Sequence, residues 1–266
     1  MITTVKVEKL EYLTAEKIAA PHCFTTRLGG VSAGSLASMN IGTRRGDAPE
    51  NVLKNYDILG DALEFDPHKA VLTKQTHTDI VRQVDEKDWG TGLYAPDFED
   101  CDGLITNCPG TALVIFTADC NPILLYDPET GAVGAVHAGW RGTANGIVGK
   151  AVEKMVAAYG CRRESICAAI GPSIGPCCFE TDEDVPQAML SAFGQEANAY
   201  ISRQGQKYYV NLKKLNALHL QRAGVKNIEI STCCTACESH RFWSHRVHGA
   251  SRGSQGAIIV CKEVSP

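Results

Sequence analysis

The sequence predicts a domain of the α+β class, with a mixed-sheet α/β core. Apolar runs of strand length and amphipathic helical segments are intermixed along the 266 residues, without the strict alternation typical of a doubly wound sheet. A turn-forming segment, Asp127-Pro128-Glu129-Thr130-Gly131, joins two of the apolar runs and predicts an antiparallel hairpin at the centre. Because the chain shows no repeat, no low-complexity linker and no Rossmann or P-loop glycine pattern, residues 1–266 are expected to form one domain.

Charge and composition narrow the classes of partner and compartment. The net charge is −4 and no run of Lys or Arg occurs, so nucleic acid is not an expected partner. The N-terminal segment mixes charged with apolar residues, which predicts neither an export signal nor a membrane span. Twelve cysteines in a chain of this size without such a signal are expected to be reduced, buried or metal-bound thiols, and we expect a cytoplasmic protein.

The first part of the chain is predicted to contain one helix, two short strands and two loops. Residues 21–47 are rich in Gly, Ser and Arg and lack periodicity, which is typical of a surface loop. Two short β-rich runs flank Gln75-Thr76-His77, and the acidic residues 85–103 predict a long loop. A helix beginning at Asp47 or Pro49 is indicated by apolar residues at helical spacing: Val52, Leu53, Tyr56 and Leu59.

The rest of the chain is predicted to alternate irregularly between strands and helices. Gly160 and Gly224 are the expected stops of two of the helices. The predicted strands cover residues 111–117, 123–126, 132–136, 165–170, 208–210, 225–230 and 256–260. The predicted helices cover residues 145–159, 184–193 and 212–223.

The central hairpin brings a thiol and an imidazole together. If Tyr126 and Ala132 close a five-residue loop, facing residue numbers sum to 258, and His137 lies opposite Asn121, one residue from Cys120. Because neighbouring strands are about 4.8 Å apart, the two side chains meet at one end of a sheet.

Two kinds of chemistry fit this pair. With His77, the pair supplies one thiolate and two imidazoles, a donor set that suits zinc and leaves a fourth position open. Alternatively, Cys120 is a nucleophile and His137 its base, with Asp119 or another group orienting the ring and the amides of residues 139–142 as an oxyanion hole. A metal-free preparation that stays fully active would favour the second interpretation.

Other cysteines and histidines are less specific. Cys234-x-x-Cys237 resembles half of a structural zinc site, but the later histidines lack the usual spacing, so buried thiols are the preferred interpretation for Cys233, Cys234 and Cys237. The adjacent pair Cys177-Cys178 is interpreted as tight packing. A multicopper centre is not expected, because the chain has eight histidines and no His-x-His pair.

A series of motifs resembles the YfiH family, also labelled laccase-domain proteins, multicopper polyphenol oxidases or peptidoglycan editing factors. The resemblance spans roughly residues 22–260 and implies an α/β/β/α sandwich akin to cysteine-hydrolase-like proteins. It also implies that zinc is held by His77, Cys120 and His137. The motifs occur in the order FTTRLGGVS, ASMNIG, KQTHTDIV, CDGLIT, TADCNPILLYD, AVHAGWRGT, IGPSIGPCCFE and FWSHR.

The family's activities imply small-molecule substrates. They are phosphorolysis of adenosine, inosine and methylthioadenosine, and deamination of adenosine. Family members are also implicated in an amidase reaction that removes serine from misbuilt UDP-MurNAc–serine. Zinc deaminases usually carry a His-x-Glu motif, which this chain lacks, so deamination needs another proton carrier. A metal-free Cys/His hydrolase and a non-catalytic binding protein are the remaining alternatives, and no membrane partner is expected.

Several polar residues are candidates for contacts with substrate. Asp119 is expected to orient His137 or to carry a proton. The candidates for holding phosphate are Arg141, Arg246 and Arg44. Asn40 and Gln75 are the candidates for reading sugar hydroxyls or the base edge. The chain departs from the family where His245 replaces an aromatic residue and where Ala250-Ser251-Arg252 replaces Thr-Gly-Arg, and both changes bear on substrate choice.

Overall fold

The computed structural model describes residues 1–263, in which the chain forms fifteen strands and six α-helices. The first eight strands are β1 (Ile2–Val7), β2 (Leu10–Ala15), β3 (His22–Thr25), β4 (Ala70–Leu72), β5 (Val81–Gln83), β6 (Gly103–Thr106), β7 (Ala112–Thr117) and β8 (Asn121–Tyr126). The others are β9 (Val133–Ala138), β10 (Cys167–Ile170), β11 (Glu180–Thr181), β12 (Ile201–Gln204), β13 (Lys207–Val210), β14 (Asn227–Ile230) and β15 (Gln255–Val260). The helices are α1 (Pro49–Leu63), α2 (Trp140–Ala144), α3 (Ile147–Tyr159), α4 (Asp184–Phe193), α5 (Leu212–Arg222) and α6 (His245–His248).

The strands form two six-stranded sheets and one small sheet. Sheet I has the order β1-β2-β3-β15-β7-β4, and sheet II has the order β14-β10-β8-β9-β6-β5. In sheet I only β4 pairs in parallel, with β7, whereas sheet II has a parallel pair at each edge, β10 with β14 and β5 with β6. The small sheet, β11-β13-β12, is antiparallel.

Sheets I and II pack face to face, and helices cover their outer faces. Phe24 and Leu113 of sheet I share one buried cluster with Leu124 and Ala135 of sheet II. On the outer face of sheet I, α1 packs its apolar stripe, which includes Tyr56. Helices α3 and α5 cover the outer face of sheet II. The predicted mixed α/β class and the α/β/β/α layering are confirmed.

Because both faces of each sheet are covered, the central strands are continuously apolar, as the three runs of the hairpin region predicted. All six residues of β9 and of β15 are buried. Helix α3 is capped at its C-terminal end by Gly160, as predicted. The φ of Gly160 is 70°, a left-handed conformation that glycine adopts readily. No helix within residues 1–263 combines the length and apolar character that crossing a bilayer demands.

The predicted register of the central hairpin was wrong by one residue. Tyr126 pairs with Val133, so the loop has six residues and His137 faces Pro122. The amide of Asp127 donates to the carbonyl of Ala132 at 2.9 Å, so Ala132 faces Asp127 and not Tyr126, the partner that was predicted. The shift leaves Cys120 and His137 at the same end of sheet II.

The segment 21–47 is only partly the surface loop that was predicted. Its start, β3, is a fully buried inner strand of sheet I. Four residues are too few to show a period, which explains why the pattern missed this strand. The glycine-rich turn expected at residues 139–142 is largely the short helix α2, which begins directly after Gly139.

Candidate metal and substrate site

Three side chains converge where sheets I and II meet. The donor atoms of His77, Cys120 and His137 all lie within 4.8 Å of one another. Cys120 occupies the connection from β7 of sheet I to β8 of sheet II, His137 lies near the end of β9, and His77 lies on the loop between β4 and β5. The two imidazole rings meet edge to face, with their centroids 5.0 Å apart.

Asp102 is the residue that positions both histidines. Its carboxylate is buried and accepts a hydrogen bond from His137 Nδ1 at 2.8 Å. The same carboxylate accepts the backbone N–H groups of Thr76, His77 and Thr78 at 3.0–3.1 Å. It therefore orients the His137 ring and fixes the loop that carries His77. Sequence reasoning proposed Asp119 for the first of these roles, and the structure assigns that contact to Asp102.

The two histidines differ in proton affinity. Burial lowers the pKa of His137, but the negative charges of Cys120 and Asp102 outweigh burial and raise it to about 9. For His77, burial and the neighbouring His137 together lower the pKa. His77 is therefore predominantly neutral at pH 7, the state in which an imidazole binds a metal.

Glycine at position 139 leaves space for the donor atoms. A Cβ at Gly139 would lie 2.7 Å from Nδ1 of His77 and 3.3 Å from Sγ of Cys120. The backbone of His77 has a φ of 64°, in the left-handed region that non-glycine residues rarely adopt. The bonds from residues 76–78 to Asp102 hold that conformation in place.

The three donors open on a cleft with two lobes, which share His77, Ala118, Cys120 and Arg252. The basic lobe has a volume of about 230 Å³, and the apolar lobe has about 290 Å³. Beyond the shared residues, the basic lobe is lined by Arg44, Arg45, Gln75 and Ser254, among others. The apolar lobe is lined by Asp119, Ile174, Phe179, His245 and Arg246.

Two guanidinium groups that sequence reasoning missed face the basic lobe. Arg45 Nε donates to Ser254 Oγ at 3.1 Å, and Arg252 lies at 3.5 Å from the same oxygen. Burial lowers the pKa of Arg252 to about 10, and the positive charge of Arg45 acts in the same direction. Two neighbouring guanidinium groups of like charge favour a bound anion, which offsets their repulsion. The signals in the sequence were the arginine next to Arg44 and the altered Ala250-Ser251-Arg252 segment.

The predicted arginines have different surroundings. Arg44 lines the basic lobe and forms an ion pair with Asp97. Arg246 lines the apolar lobe, while its guanidinium donates to the carbonyls of Cys178 and Glu180 at 2.8 and 2.9 Å. Arg141 stacks on the ring of Trp140 at 4.1 Å and lines neither lobe. The structure thus brings Arg44 and Arg246 to the cleft but not Arg141.

Asn40, the predicted reader of sugar hydroxyls or the base edge, does not line either lobe of the cleft. It is fully buried, donates to Asp47 at 2.8 Å and accepts the N–H groups of Gly42 and Ser254. Its amide is therefore used in holding the loop that carries Arg44 and Arg45.

Gln75 and Asp119 do line the cleft. The Gln75 amide bonds both the N–H and the carbonyl of Phe116 at 2.7 Å, which fixes it against the end of β7. Asp119 accepts the Thr235 hydroxyl at 2.6 Å and the Arg246 N–H at 2.7 Å. Its backbone φ of 88° is strained, and these bonds offset that strain.

The donor set fits a zinc ion. One sulfur and two imidazole nitrogens are zinc ligands, and a carboxylate that receives the other ring N–H of a ligating histidine is the usual support for such a site. The bond from His137 Nδ1 to Asp102 leaves Nε2 for the ion. A nucleophile–base pair of Cys120 and His137 would leave His77 without a role. The methionine that is the common axial ligand of blue-copper sites does not line either lobe in the described part of the chain.

Comparison with known proteins agrees with the fold and the motifs. The family described as multi-copper polyphenol oxidoreductase laccase matches residues 21–262. A purine nucleoside phosphorylase of Deinococcus radiodurans is 38% identical over 251 residues, covering 94% of this chain and 92% of the relative. The purine nucleoside phosphorylase YlmD of Geobacillus stearothermophilus is 37% identical over 241 residues, covering 89% and 87%.

A solved structure shares the whole architecture. The crystal structure of the Bacillus licheniformis hypothetical protein YfiH matches with a TM-score of 0.92 at 32% sequence identity, covering 98% of this chain and 99% of that chain. The resemblance drawn from the sequence motifs is confirmed. The chain belongs to the multi-copper polyphenol oxidoreductase laccase family, together with the YfiH and YlmD proteins.

Proposed function

We propose that the protein is a zinc-dependent purine nucleoside phosphorylase. The observation that carries this proposal is the position of the His77, Cys120 and His137 donors on the border between a lobe lined by arginines and an apolar lobe. The names of the relatives, which are purine nucleoside phosphorylases, support the same reaction class.

In this proposal the basic lobe holds phosphate. Arg45 and Arg252 face one another across Ser254 and supply charge-assisted hydrogen bonds to phosphate oxygens. The Arg44 guanidinium adds positive charge at the outer side of the lobe, where Asp97 limits its movement. A zinc ion bound at the three donors supplies Lewis-acid character to the junction of the lobes.

The apolar lobe takes the purine base. Ile174 and Phe179 line it and provide a surface on which an aromatic ring packs. The nucleoside then spans the border with its C1′ towards the phosphate lobe. A phosphate oxygen forms the new bond to C1′ as the glycosidic C–N bond breaks, and the base nitrogen takes the proton that phosphate gives up. Adenosine, inosine and methylthioadenosine share this bond.

We also propose adenosine deamination as a second activity of the same cleft. Asp119 is the one carboxylate among the described residues that line the two lobes, and it adjoins the ligand Cys120. It is therefore the candidate proton carrier in place of the missing His-x-Glu glutamate. In this reaction water replaces the amino group at purine C6 and ammonia leaves.

The test is product analysis with zinc-loaded protein, with and without inorganic phosphate. We expect adenosine, inosine and methylthioadenosine to give free base and a ribose 1-phosphate only when phosphate is present, as identified by mass spectrometry. Free ribose formed without phosphate, or no turnover of any nucleoside, would overturn the phosphorylase proposal. Release of serine from UDP-MurNAc–serine, run as a parallel arm, would instead support the amidase alternative.

Substitution of Arg252 tests the phosphate site. Loss of a charge-assisted contact of about 1.5–3 kcal/mol predicts a rise in KM for phosphate of roughly 10- to 100-fold in Arg252→Ala, with partial recovery in Arg252→Lys. Arg203→Ala is the matched control, because Arg203 is exposed on β12 and stacks on Tyr208 away from the cleft. An unchanged KM in Arg252→Ala would count against the assigned phosphate lobe.

A further inference from the structure

Four cysteines from two separate loops form a second cluster of donors, here called the tetrathiol cluster: Cys177, Cys178, Cys234 and Cys237. The first two follow β10 and the last two follow β14. Because β10 and β14 are parallel neighbours, their carboxyl ends lie at the same edge of sheet II. Neither sequence pattern alone suggested this union, since Cys177-Cys178 and Cys234-x-x-Cys237 are about 60 residues apart.

The sulfur positions match a single tetrahedral ion. All four Sγ atoms lie within 4.8 Å of one another, and Cys237 Sγ lies 3.6 Å from that of Cys177 and 3.4 Å from that of Cys178. Four sulfurs bound to zinc at about 2.3 Å are about 3.8 Å apart in a tetrahedron. A disulfide would need about 2.05 Å. The cluster is therefore too open for disulfides and compact enough for one metal ion.

The surroundings of Cys234 favour its thiolate. Gly175 N–H donates to its Sγ at 3.1 Å. The backbone amides of Cys237 and Ala236 also point at this sulfur. Gly175 also keeps the space beside the sulfurs open, since a Cβ there would lie 3.1 Å from Cys177 Sγ and 3.4 Å from Cys234 Sγ. Backbone amides directed at a Cys-x-x-Cys sulfur stabilise the metal-binding form of the thiol.

A buried cation balances part of the charge. Lys213 on α5 is buried and donates to the carbonyls of Ser231 and Cys233, directly before the second pair of cysteines. Burial lowers the pKa of Lys213, and electrostatic interaction with the nearby cysteines Cys233, Cys234 and Cys177 opposes that effect. Four thiolates around one zinc ion carry a net charge of about −2, which a neighbouring ammonium partly offsets.

We propose that the tetrathiol cluster binds one zinc ion as a closed structural site, separate from the His77, Cys120 and His137 site. The loop that follows β10 supplies Ile174 and Phe179 to the lining of the apolar lobe. The loop that follows β14 contacts this lining through Asp119. Thr235, next to Cys234, donates to Asp119, and Ile174 N–H donates to the Asp119 carbonyl at 2.9 Å. The Arg246 guanidinium binds the Cys178 carbonyl. Zinc at the cluster thus holds the wall against which the base packs.

The test is the number of zinc ions per chain in protein purified under reducing conditions. We expect two in the natural chain, one in Cys120→Ala, one in Cys234→Ser with Cys237→Ser, and none when all three substitutions are combined. Cys108→Ser, which changes a cysteine outside both clusters, is the matched control and is expected to keep two. Because Cys120→Ala retains the second ion, failure of the proposed catalytic site and failure of this site give different patterns.

Two further measurements keep the proposal testable if the double variant does not fold. Cys237→His, which preserves a zinc ligand, is expected to retain two ions. Cobalt(II) in Cys120→Ala is expected to give the absorption of tetrahedral thiolate coordination. The proposal would be overturned if the natural chain held a single zinc ion and Cys120→Ala held none. Iron in place of zinc, or a disulfide within the cluster in anaerobically alkylated protein, would overturn it as well.

Discussion

At the scale of the residue, Asp102 joins the segments that carry two of the proposed ligands. One carboxylate oxygen receives both the His137 ring and the His77 amide, and the other receives Thr76 and Thr78. Burial raises the pKa of Asp102, but the hydrogen bonds to its carboxylate and the charge of His137 lower it by more. The charge on this carboxylate is thus a permanent part of the site near neutral pH.

Replacing that charge tests its role. In Asp102→Asn the side chain cannot accept all of these hydrogen bonds, so the His137 ring loses its orientation. We expect zinc affinity at this site to fall about 10- to 100-fold, as measured by competition with a chromophoric chelator. Asp79→Asn is the control, since Asp79 lies in the loop that carries His77 but pairs with Lys150 at the surface. Equal affinity in the two variants would contradict the assignment.

The candidate residues show what local sequence reveals about a site. Cys120 and His137 were within reach of prediction because a single hairpin joins them. Asp102 and Arg252 were not, because their contacts with the site depend on sheet order and on a loop that follows Trp243. Asn40 was proposed as a substrate contact from its neighbours in sequence, yet its amide points into the fold and bonds Asp47.

At the scale of the element, helices α1, α3, α4 and α5 were predicted to within about two residues, because each repeats a local 3.6-residue pattern with a glycine, proline or cap at its end. Strands were less predictable. The register of β8 and β9 depends on one additional loop residue, and β3 is recognised as a strand only through its partners β2 and β15.

The buried histidine of strand β3, His22, is expected to make the stability of the fold depend on pH. His22 is buried, accepts the Ala15 N–H at Nε2 and donates from Nδ1 to the Ala20 carbonyl, so it folds as neutral imidazole. Burial lowers its pKa below 6.5, although the bond to Ala20 opposes this shift. His22 therefore binds a proton more readily in the unfolded chain than in the folded one. Its contribution to the free energy of unfolding is fully present above pH 6.5 and decreases as the pH falls below that value.

The expected measurement is thermal unfolding between pH 8 and pH 5. Below pH 6.5, His22 is expected to lower the free energy of unfolding of the natural chain by up to about 1.4 kcal/mol per pH unit. The free energy of unfolding of His22→Gln is expected to fall less over the same range. His68→Gln is the control, because His68 is exposed and stacks on Tyr94. A parallel slope in His22→Gln and the natural chain would refute the assignment to His22.

At the scale of the whole molecule, the contact between the two sheets is tight. Gly171, after β10 of sheet II, lies directly against the ring of Phe24 in β3 of sheet I, and a Cβ there would lie 2.2 Å from a ring carbon. The ring is fully buried within the cluster between the sheets and cannot move aside freely. In the sequence this glycine stood out only as part of the motif IGPSIGPCCFE.

Gly171→Ala is therefore expected to lower the free energy of unfolding by about 1–3 kcal/mol through overpacking. Gly149→Ala is the matched control, because a Cβ at Gly149 meets no atom within 4 Å and alanine favours helix α3. Denaturant titration of both variants provides the comparison. If Gly171→Ala were as stable as Gly149→Ala, the sheets would be less closely packed than the structure shows.

The placement of β15 also decides when the proposed zinc site is completed during synthesis. All three ligands have been translated by residue 137, yet β7, which leads into Cys120, pairs with β15 at residues 255–260. Until that last strand leaves the ribosome, sheet I lacks its inner partner between β3 and β7. We therefore expect a nascent chain halted before residue 255 to capture zinc poorly, so that metal loading follows the synthesis and pairing of β15.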